Sequence, residues 1–414
     1  MKIPRLFLFA TCLAYISCQP EKASISGDDD KLRTEANELT QKFILVDTHV
    51  DLPERLKAIK FRLEPEYMSI PVSSKEGDFD FERGRKGGLD APFMSIYIPS
   101  SYQQLPDKGK ILADSLINMI EAIAKANPDK FALARDPASI ESNTAAGKIS
   151  LPMGMENGAP IGDDVKNLKY FYDRGIRYIT LTHAKDNQIC DSSYDTLKDT
   201  WTGLSPFGVK VVGEMNRLGI MVDISHVTDS AFYDVVKIAK APLIASHSSC
   251  RYFTPGFQRN MSDDMITALG KNGGVIQISF GASFLDSVAR VNIKVLDSLE
   301  KILVAKGLTS RDSAAQPIID QFSKNHKELY SDVERVADHI DHVVKLVGID
   351  HVGIGSDFDG VGDSLPLGLK DVSQYPNLVY VLLKRGYTPE DIEKICSKNV
   401  FRVWNKVIEL AEKG

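Results

Sequence analysis

Cysteine is scarce in this chain. Of the 5 cysteines in 414 residues, Cys12 and Cys18 fall near the N-terminus, which leaves Cys190, Cys250 and Cys396 for the body of the protein. Three thiols permit one disulfide at most, and none stands in a Cys-x-x-Cys pattern, so neither a disulfide scaffold nor a thiolate zinc site carries the chemistry. A surplus of one charge is also missing. With 50 basic and 56 acidic side chains, a formal net charge of -6 and no like-charge run longer than Asp28-Asp29-Asp30, the chain offers no basic stripe to nucleic acid. Its one sustained apolar run near the start, residues 6–16, is too short to span a bilayer comfortably, and residues 389–412 are amphipathic and charged, with no apolar tail for an anchor.

What is present begins with a leader. Met1-Lys2-Ile3-Pro4-Arg5, the apolar run and small Ser17 describe a secretory signal over residues 1–17. Cysteine directly after Ser17 resembles a bacterial lipoprotein cleavage box, in which Cys18 becomes the lipidated first residue; Tyr15 fits that box poorly. Residues 18–33 then read as a polar tether, short of the apolar side chains needed to fold. The expected location is outside the cytoplasm, lipid-anchored in a bacterial cell envelope, otherwise periplasmic or secreted. That lipid would be the only link to a membrane.

Residues 34–414 read as one domain. After a helix expected at about 31–42, short apolar runs alternate with amphipathic stretches. Strands are expected near 43–51, 92–98, 149–156, 177–183, 219–226, 242–248, 274–280 and 351–358, with helical patterns between most of them, for example 112–126, 165–174, 208–218, 229–239 and 262–271. Eight such units predict an α/β fold, a (β/α)8 TIM-type barrel of the metal-dependent hydrolase kind. A doubly wound open sheet would carry a Gly-rich turn after its first strand, and Thr48-His49-Val50-Asp51 stands there instead. The longest insertion, about 281–333, is expected to form a lid or side helices at the ligand face.

Barrel enzymes place reacting groups at the C-terminal ends of their strands. His49 and Asp51 end the first run, Glu156 the third, His183 the fourth, His226 the fifth, His247 the sixth and Asp357 the eighth. On a strand, His49 and Asp51 point to one face, so they offer a nitrogen and a carboxylate oxygen side by side. Imidazole and carboxylate without thiolate suit Zn2+ or a similar borderline ion. A pair of ions is expected, with His49 and Asp51 on one, His226 and His247 on the other and Glu156 bridging them around a shared hydroxide.

Val46-Asp-Thr-His-Val-Asp-Leu-Pro53, Gly154-Met-Glu156, Leu181-Thr-His183, Asp223-Ile-Ser-His226, Ser246-His-Ser-Ser249, Arg259-Asn260 and Gly355-Ser-Asp-Phe-Asp-Gly360 follow one another in an order that resembles the membrane dipeptidase (renal dipeptidase) family of zinc metallopeptidases, from about Phe43 to the end. The resemblance implies the same barrel and the same ligands, with two Zn2+ per chain bridged by Glu156. It also implies His183 on the substrate and its tetrahedral intermediate, Arg259 on the substrate carboxylate and Asp357 in proton transfer near the substrate amine. It implies hydrolysis of dipeptides, some tolerance of D-residues at the C-terminal position and a homodimer. Each role has a physical basis. An arginine fork binds a carboxylate through two hydrogen bonds, a histidine near the metals can donate to an oxyanion, and an aspartate can relay a proton.

Two departures stand out. Asn157-Gly158 follows the glutamate where the family usually has two glycines, which touches loop shape, and Phe280-Gly281 replaces a phenylalanine-tyrosine pair that would line the substrate pocket. Two other readings stay open: a barrel hydrolase acting on another amide, a lactone or a phosphoester, and a non-catalytic cell-surface solute-binding barrel. Among the remaining candidates, His339 and His342, with Asp338 and Asp341, are expected on a solvated helix face rather than on a second metal. His351 is expected to serve stability at the far end of the last strand, and Lys185, Asp186 and Asn187 fall where a pocket lining is expected but have no role in the sequence.

Overall fold

Short strands buried on both faces need helices on one side and each other on the other, and here they close on themselves. The computed structural model describes residues 27–62, 64–105, 107–195, 200–292, 295–308 and 312–411. The signal segment, Cys12, Cys18 and residues 18–26 of the tether lie outside the described residues.

The strands are β1 (Leu45–Val50), β2 (Leu89–Tyr97), β3 (Phe131–Leu133), β4 (Ile149–Leu151), β5 (Met153–Glu156), β6 (Ile176–Thr180), β7 (Met221–Asp223), β8 (Ile244–Ser248), β9 (Val275–Ile278) and β10 (Val352–Ile354). Eight of them form one parallel sheet in the order β1-β2-β5-β6-β7-β8-β9-β10, with helices in most of the connections. The ends meet beyond the last strand: Val50 bridges Phe358, Asp51 N–H donates to Phe358 O at 2.8 Å and Asp357 N–H donates to His49 O at 3.1 Å. This is the expected (β/α)8 barrel. One large apolar cluster fills the space between sheet and helices, and a second joins Val46, Phe93, Tyr178, Met221, Ile244 and Val275 to Trp404 of the helix Asn399–Leu410.

Several boundaries differ from the sequence reading. The run 149–156 is two strands: β4 pairs with β3 in a separate two-stranded sheet, and Pro152, which has no N–H to donate, marks the break before β5 joins the barrel. The first helix is Gly27–Lys42, so residues 27–33 belong to it and not to a tether. Polar composition alone hid this, because the partners are distant: Arg33 lies 4.0 Å over the Tyr380 ring, and Tyr380 donates to Asp29 at 2.8 Å.

The insertion carries helices Ala282–Leu285, Ser287–Asn292, Leu296–Val304 and Gln316–Asn325, with a small core of its own around Leu299, Leu303, Ile319 and Phe322. His339, expected on a solvated face, is instead fully buried: its Nδ1 accepts Cys250 N–H at 3.0 Å and its Nε2 faces Leu285 O at 3.0 Å. A neutral ring with both nitrogens used in this way has nothing left for a metal. His342 pairs with Asp263 at 2.8 Å and His351 with Gly274 O at 2.7 Å. The cysteines Cys190, Cys250 and Cys396 are buried and free.

Candidate metal centre

His49, Glu156 and His247 lie on the ends of β1, β5 and β8, and the rest of the site lies just past the strand ends. β6 stops at Thr180, β7 at Asp223 and β10 at Ile354, each three residues before His183, His226 and Asp357. Positive φ at His226 (70°) and Asp357 (68°) turns these backbones sharply, a conformation that side chains with a Cβ rarely adopt without support. Support comes from both sides. Thr228 caps the helix Asp229–Ile238 directly after His226, and Ser262 caps Asp263–Lys271 directly after the Arg259 segment.

Two buried aspartates hold the ligand loops. Asp47 Oδ1 accepts His49 N–H at 3.1 Å and Ser356 N–H at 2.9 Å, while Tyr375 donates to its other oxygen. Asp223 Oδ1 accepts Ser225 N–H at 3.1 Å and Ser246 N–H at 2.8 Å, and its Oδ2 accepts the hydroxyls of Thr180 and Ser246. Each therefore ties a ligand-bearing turn to a neighbouring strand. Sequence reasoning missed these residues. Their one local signal is an aspartate two or three positions ahead of a histidine, in Asp47-Thr-His49 and Asp223-Ile-Ser-His226.

The candidate imidazoles converge on Glu156. Its Oε2 faces His49 Nε2 at 3.4 Å, and its Oε1 faces His226 Nε2 at 3.2 Å, His247 Nε2 at 3.3 Å and His183 Nε2 at 3.4 Å. The carboxylate thus presents one oxygen to each half of the cluster. His49 Nε2 also lies 3.4 Å from Asp51 Oδ2, and the ligand atoms of His49, Asp51 and Asp357 fall within 4.8 Å of one another. His226 and His247 bring their Nε2 atoms to 2.8 Å.

The protons of two of these rings can be placed. Tyr178 donates to Thr48 O at 3.0 Å, so at 2.9 Å it accepts from His49 Nδ1, and His49 Nε2 is left with a lone pair. Ser246 donates to Asp223 at 2.6 Å, so at 2.8 Å it accepts from His247 Nδ1, and His247 Nε2 is likewise a lone pair. His49 Nε2 has no hydrogen-bond partner. Buried lone pairs aimed at one another and at carboxylate oxygens repel, and a cation among them removes that repulsion. Hydroxyl groups fixing the far nitrogen of each imidazole are the outer partners that metal-binding histidines use. The donor set, imidazole and carboxylate without thiolate, fits Zn2+ or a similar divalent ion.

The electrostatics agree. Burial, then Arg259 and His183 push His226 well below the usual imidazole range, and burial, then His49 push His247 down as well, so both are neutral. Burial would lower His49 too, but Tyr178, Asp51 and Glu156 outweigh it and hold its pKa well above normal, so this position favours positive charge. Burial would raise Glu156, and positive charge beside it, at His49 first, holds it well below the carboxylate range instead. Asp357 is pushed up to about 7, first by burial and then by Asp51 and Glu156, against the pull of His49.

Arg259 is buried at this rim, 3 % exposed, with Nη2 donating to His247 O at 2.6 Å and lying 3.1 Å from His226 Nε2, and Nη1 donating to Ser248 at 3.0 Å. No carboxylate among the described residues pairs with it. His183 is the outermost imidazole of the set, its side chain 20 % exposed, and Tyr97 packs edge-on to it at 4.8 Å. Lys185, Asp186 and Asn187 build the loop after it: Lys185 pairs with Asp195 at 3.0 Å, Asp186 accepts Ser192 N–H at 2.7 Å, and Asn187 donates to Leu181 O at 2.8 Å. Asn157 takes the left-handed conformation, φ 77°, that the expected glycine would take, and donates to Ile98 O at 2.8 Å.

Comparison with known proteins points the same way. The sequence model of the membrane dipeptidase family, peptidase family M19, matches residues 33–414. An uncharacterized dipeptidase of Schizosaccharomyces pombe is 32% identical over 388 residues, covering 87% of this chain and 80% of that protein. The crystal structure of a probable dipeptidase, PvdM, from Pseudomonas aeruginosa superposes with a TM-score of 0.75 at 27% identity, over 92% of this chain and 100% of that one. A metallopeptidase from Rhodobacter sphaeroides, solved with a phosphinate mimic of L-Ala-D-Ala, gives a TM-score of 0.71 at 26% identity, over 88% of this chain and 99% of that one.

Proposed function

The chain belongs to the membrane dipeptidase family and is a metallo-dipeptidase, and we propose that it hydrolyses the single peptide bond of short substrates with a free C-terminal carboxylate, using two zinc ions bridged by Glu156. The observation that carries this reading is the set of imidazole Nε2 atoms gathered on the two oxygens of one buried carboxylate. His49 and Asp51 would hold one ion, His226 and His247 the other. Ions bound there would lower the pKa of coordinated water to about 7 and polarise the scissile carbonyl.

The remaining work falls to side chains. Arg259, without an acid partner among the described residues, binds the substrate carboxylate through its planar fork and so sets which bond lies over the metals. His183, at the open side, donates to the oxyanion. Asp357, with a pKa of about 7, takes a proton at its carboxylate and returns it to the leaving amine near neutral pH. The Rhodobacter complex, holding a mimic whose second residue is D-alanine, supports tolerance of a D-residue at that position here as well.

Kinetics on paired substrates test the Arg259 role. Arg259→Lys should lower kcat/KM on dipeptides by about 10-fold or more, because an ammonium cannot reproduce the fork. Blocking the substrate carboxylate as an amide should cost the wild type a similar factor and the variant far less. Fully additive losses would show that Arg259 does not touch the carboxylate.

We also propose export and a lipid on Cys18. Among the described residues no helix is long and apolar enough to cross a membrane. With a lipid on Cys18, wild-type protein should partition with membranes and Cys18→Ala should not, at equal specific activity; equal soluble fractions in both would remove the lipid anchor.

A further inference from the structure

Beside Gly281 the room that a longer side chain would need is taken by another residue. A Cβ on Gly281 would lie 2.8 Å from the Phe284 ring. Phe284 presents a face to Arg259, whose guanidinium carbon is 5.2 Å from the ring centre. It also stacks on Phe257, with centroids 6.0 Å apart and planes within 11°. The Phe257 ring in turn has the guanidinium of Arg290 4.3 Å over its centre and the edge of Tyr194 at 6.1 Å. Tyr194 closes the circuit, lying 5.8 Å from the His226 ring. A half-buried aromatic wall therefore runs outward from Arg259 and ends in a second guanidinium.

Arg290 lies on the short helix Ser287–Asn292 of the insertion, and no acid among the described residues pairs with it. The nearby Asp286 is paired with Arg335 at 3.2 Å. Tyr194 links Arg290 to the site: its ring meets the edge of Phe257, which carries Arg290, and lies 5.8 Å from the His226 ring. The aromatic wall thus joins the proposed carboxylate-binding Arg259 to an unpaired second cation.

Resting on the dipeptidase reading above, we propose that Arg290 and the Phe284–Phe257 wall form the subsite for the side chain of the substrate's C-terminal residue, and that this subsite selects an acidic side chain. With Arg259 on the α-carboxylate, a second carboxylate carried along the wall reaches Arg290. The longer glutamate side chain reaches farther along the wall than aspartate does. Its methylenes pack along the exposed ring edges and the charge meets the planar fork.

The test compares Ala-Glu with the isosteric neutral Ala-Gln, in L,L and L,D forms, on zinc-loaded full-length enzyme. Wild type should prefer Ala-Glu by about 10-fold or more in kcat/KM, the scale of a charge-assisted hydrogen bond. Arg290→Gln should bring the ratio close to one through a raised KM for Ala-Glu, and Arg290→Lys should restore part of it. Zinc content and thermal unfolding of the variants separate loss of recognition from loss of fold. A wild type without preference, or a preference that survives Arg290→Gln, overturns the assignment of Arg290. A wild type that cleaves neither peptide, while cleaving no other dipeptide, instead overturns the dipeptidase reading.

Discussion

Two groups of inward-turned acids flank Asp357, and they are built on opposite plans. Around Glu156 the chain surrounds a carboxylate with imidazole lone pairs and leaves His49 Nε2, His183 Nδ1 and His226 Nδ1 without partners. On the other side, Asp78 and Asp359 clasp each other's backbone: Asp78 N–H donates to Asp359 Oδ1 at 2.6 Å and Asp359 N–H to Asp78 Oδ2 at 2.7 Å. Arg55 joins this clasp, with Nε 3.3 Å from Asp359 Oδ2 and its other nitrogens donating to Glu76 O at 2.6 Å and Phe79 O at 2.7 Å. Acids answered by N–H groups of their own chain are architecture. Acids ringed by imidazoles have the donor set that suits a cation.

Breaking the first plan should have the larger effect. Glu156→Ala removes both oxygens on which the imidazoles converge, so purified protein should lose most of its metal and more than about 100-fold of its activity, beyond what losing a mere supporting partner costs. The fold should survive, because apart from the imidazoles the carboxylate is bonded only by the Ser95 hydroxyl among the described residues. Elemental analysis showing wild-type protein with one ion per chain, unchanged in the variant, would defeat the two-metal reading.

The second plan is better probed by pH. Asp78 is pushed from the ordinary 3.8 up to about 8, first by burial of its carboxyl and then by Asp359, with Arg55 and Arg83 pulling the other way. A carboxyl that binds its proton more tightly when folded makes the folded state more stable at low pH. That contribution is fully present below about 4 and fades as pH rises towards about 8, with a slope of at most about 1.4 kcal/mol per pH unit for one group. Asp78→Asn keeps an acceptor for Asp359 N–H and removes the titration. Its unfolding free energy across that range should therefore lose this slope, and parallel curves for both proteins would show that the clasp does not hold a proton.

The gathering of the proposed ligands was legible in the sequence because ligand chemistry admits few residue types and a barrel delivers them in chain order, from His49 to His247. The exact ends of the strands were not, since the left-handed turns at His226 and Asp357 are held by distant groups. Asp47 meets Ser356 across 309 positions, Thr48 meets Ser246 across 198 and Asp78 meets Asp359 across 281. Nothing local announces such pairings. The same holds for His339, whose charged helix neighbours suggested solvent while its own partners, Cys250 and Leu285, lie on a loop and in the insertion. The aromatic wall was visible only as an absence, the missing side chain at Gly281.

The seam that closes the barrel imposes an order of assembly. Hydrogen bonds from Asp51 to Phe358 and from Asp357 to His49 join residues near the two ends of the domain, and these same residues supply part of the site. During synthesis the first half-site emerges early and stays without its seam until the last strand leaves the ribosome. A chain cut short before residue 352 has His49, Asp51, Glu156 and all the other imidazoles of the site, yet neither Asp357 nor the edge that orients the first two. Full competence therefore arrives late, as a property of the finished polypeptide.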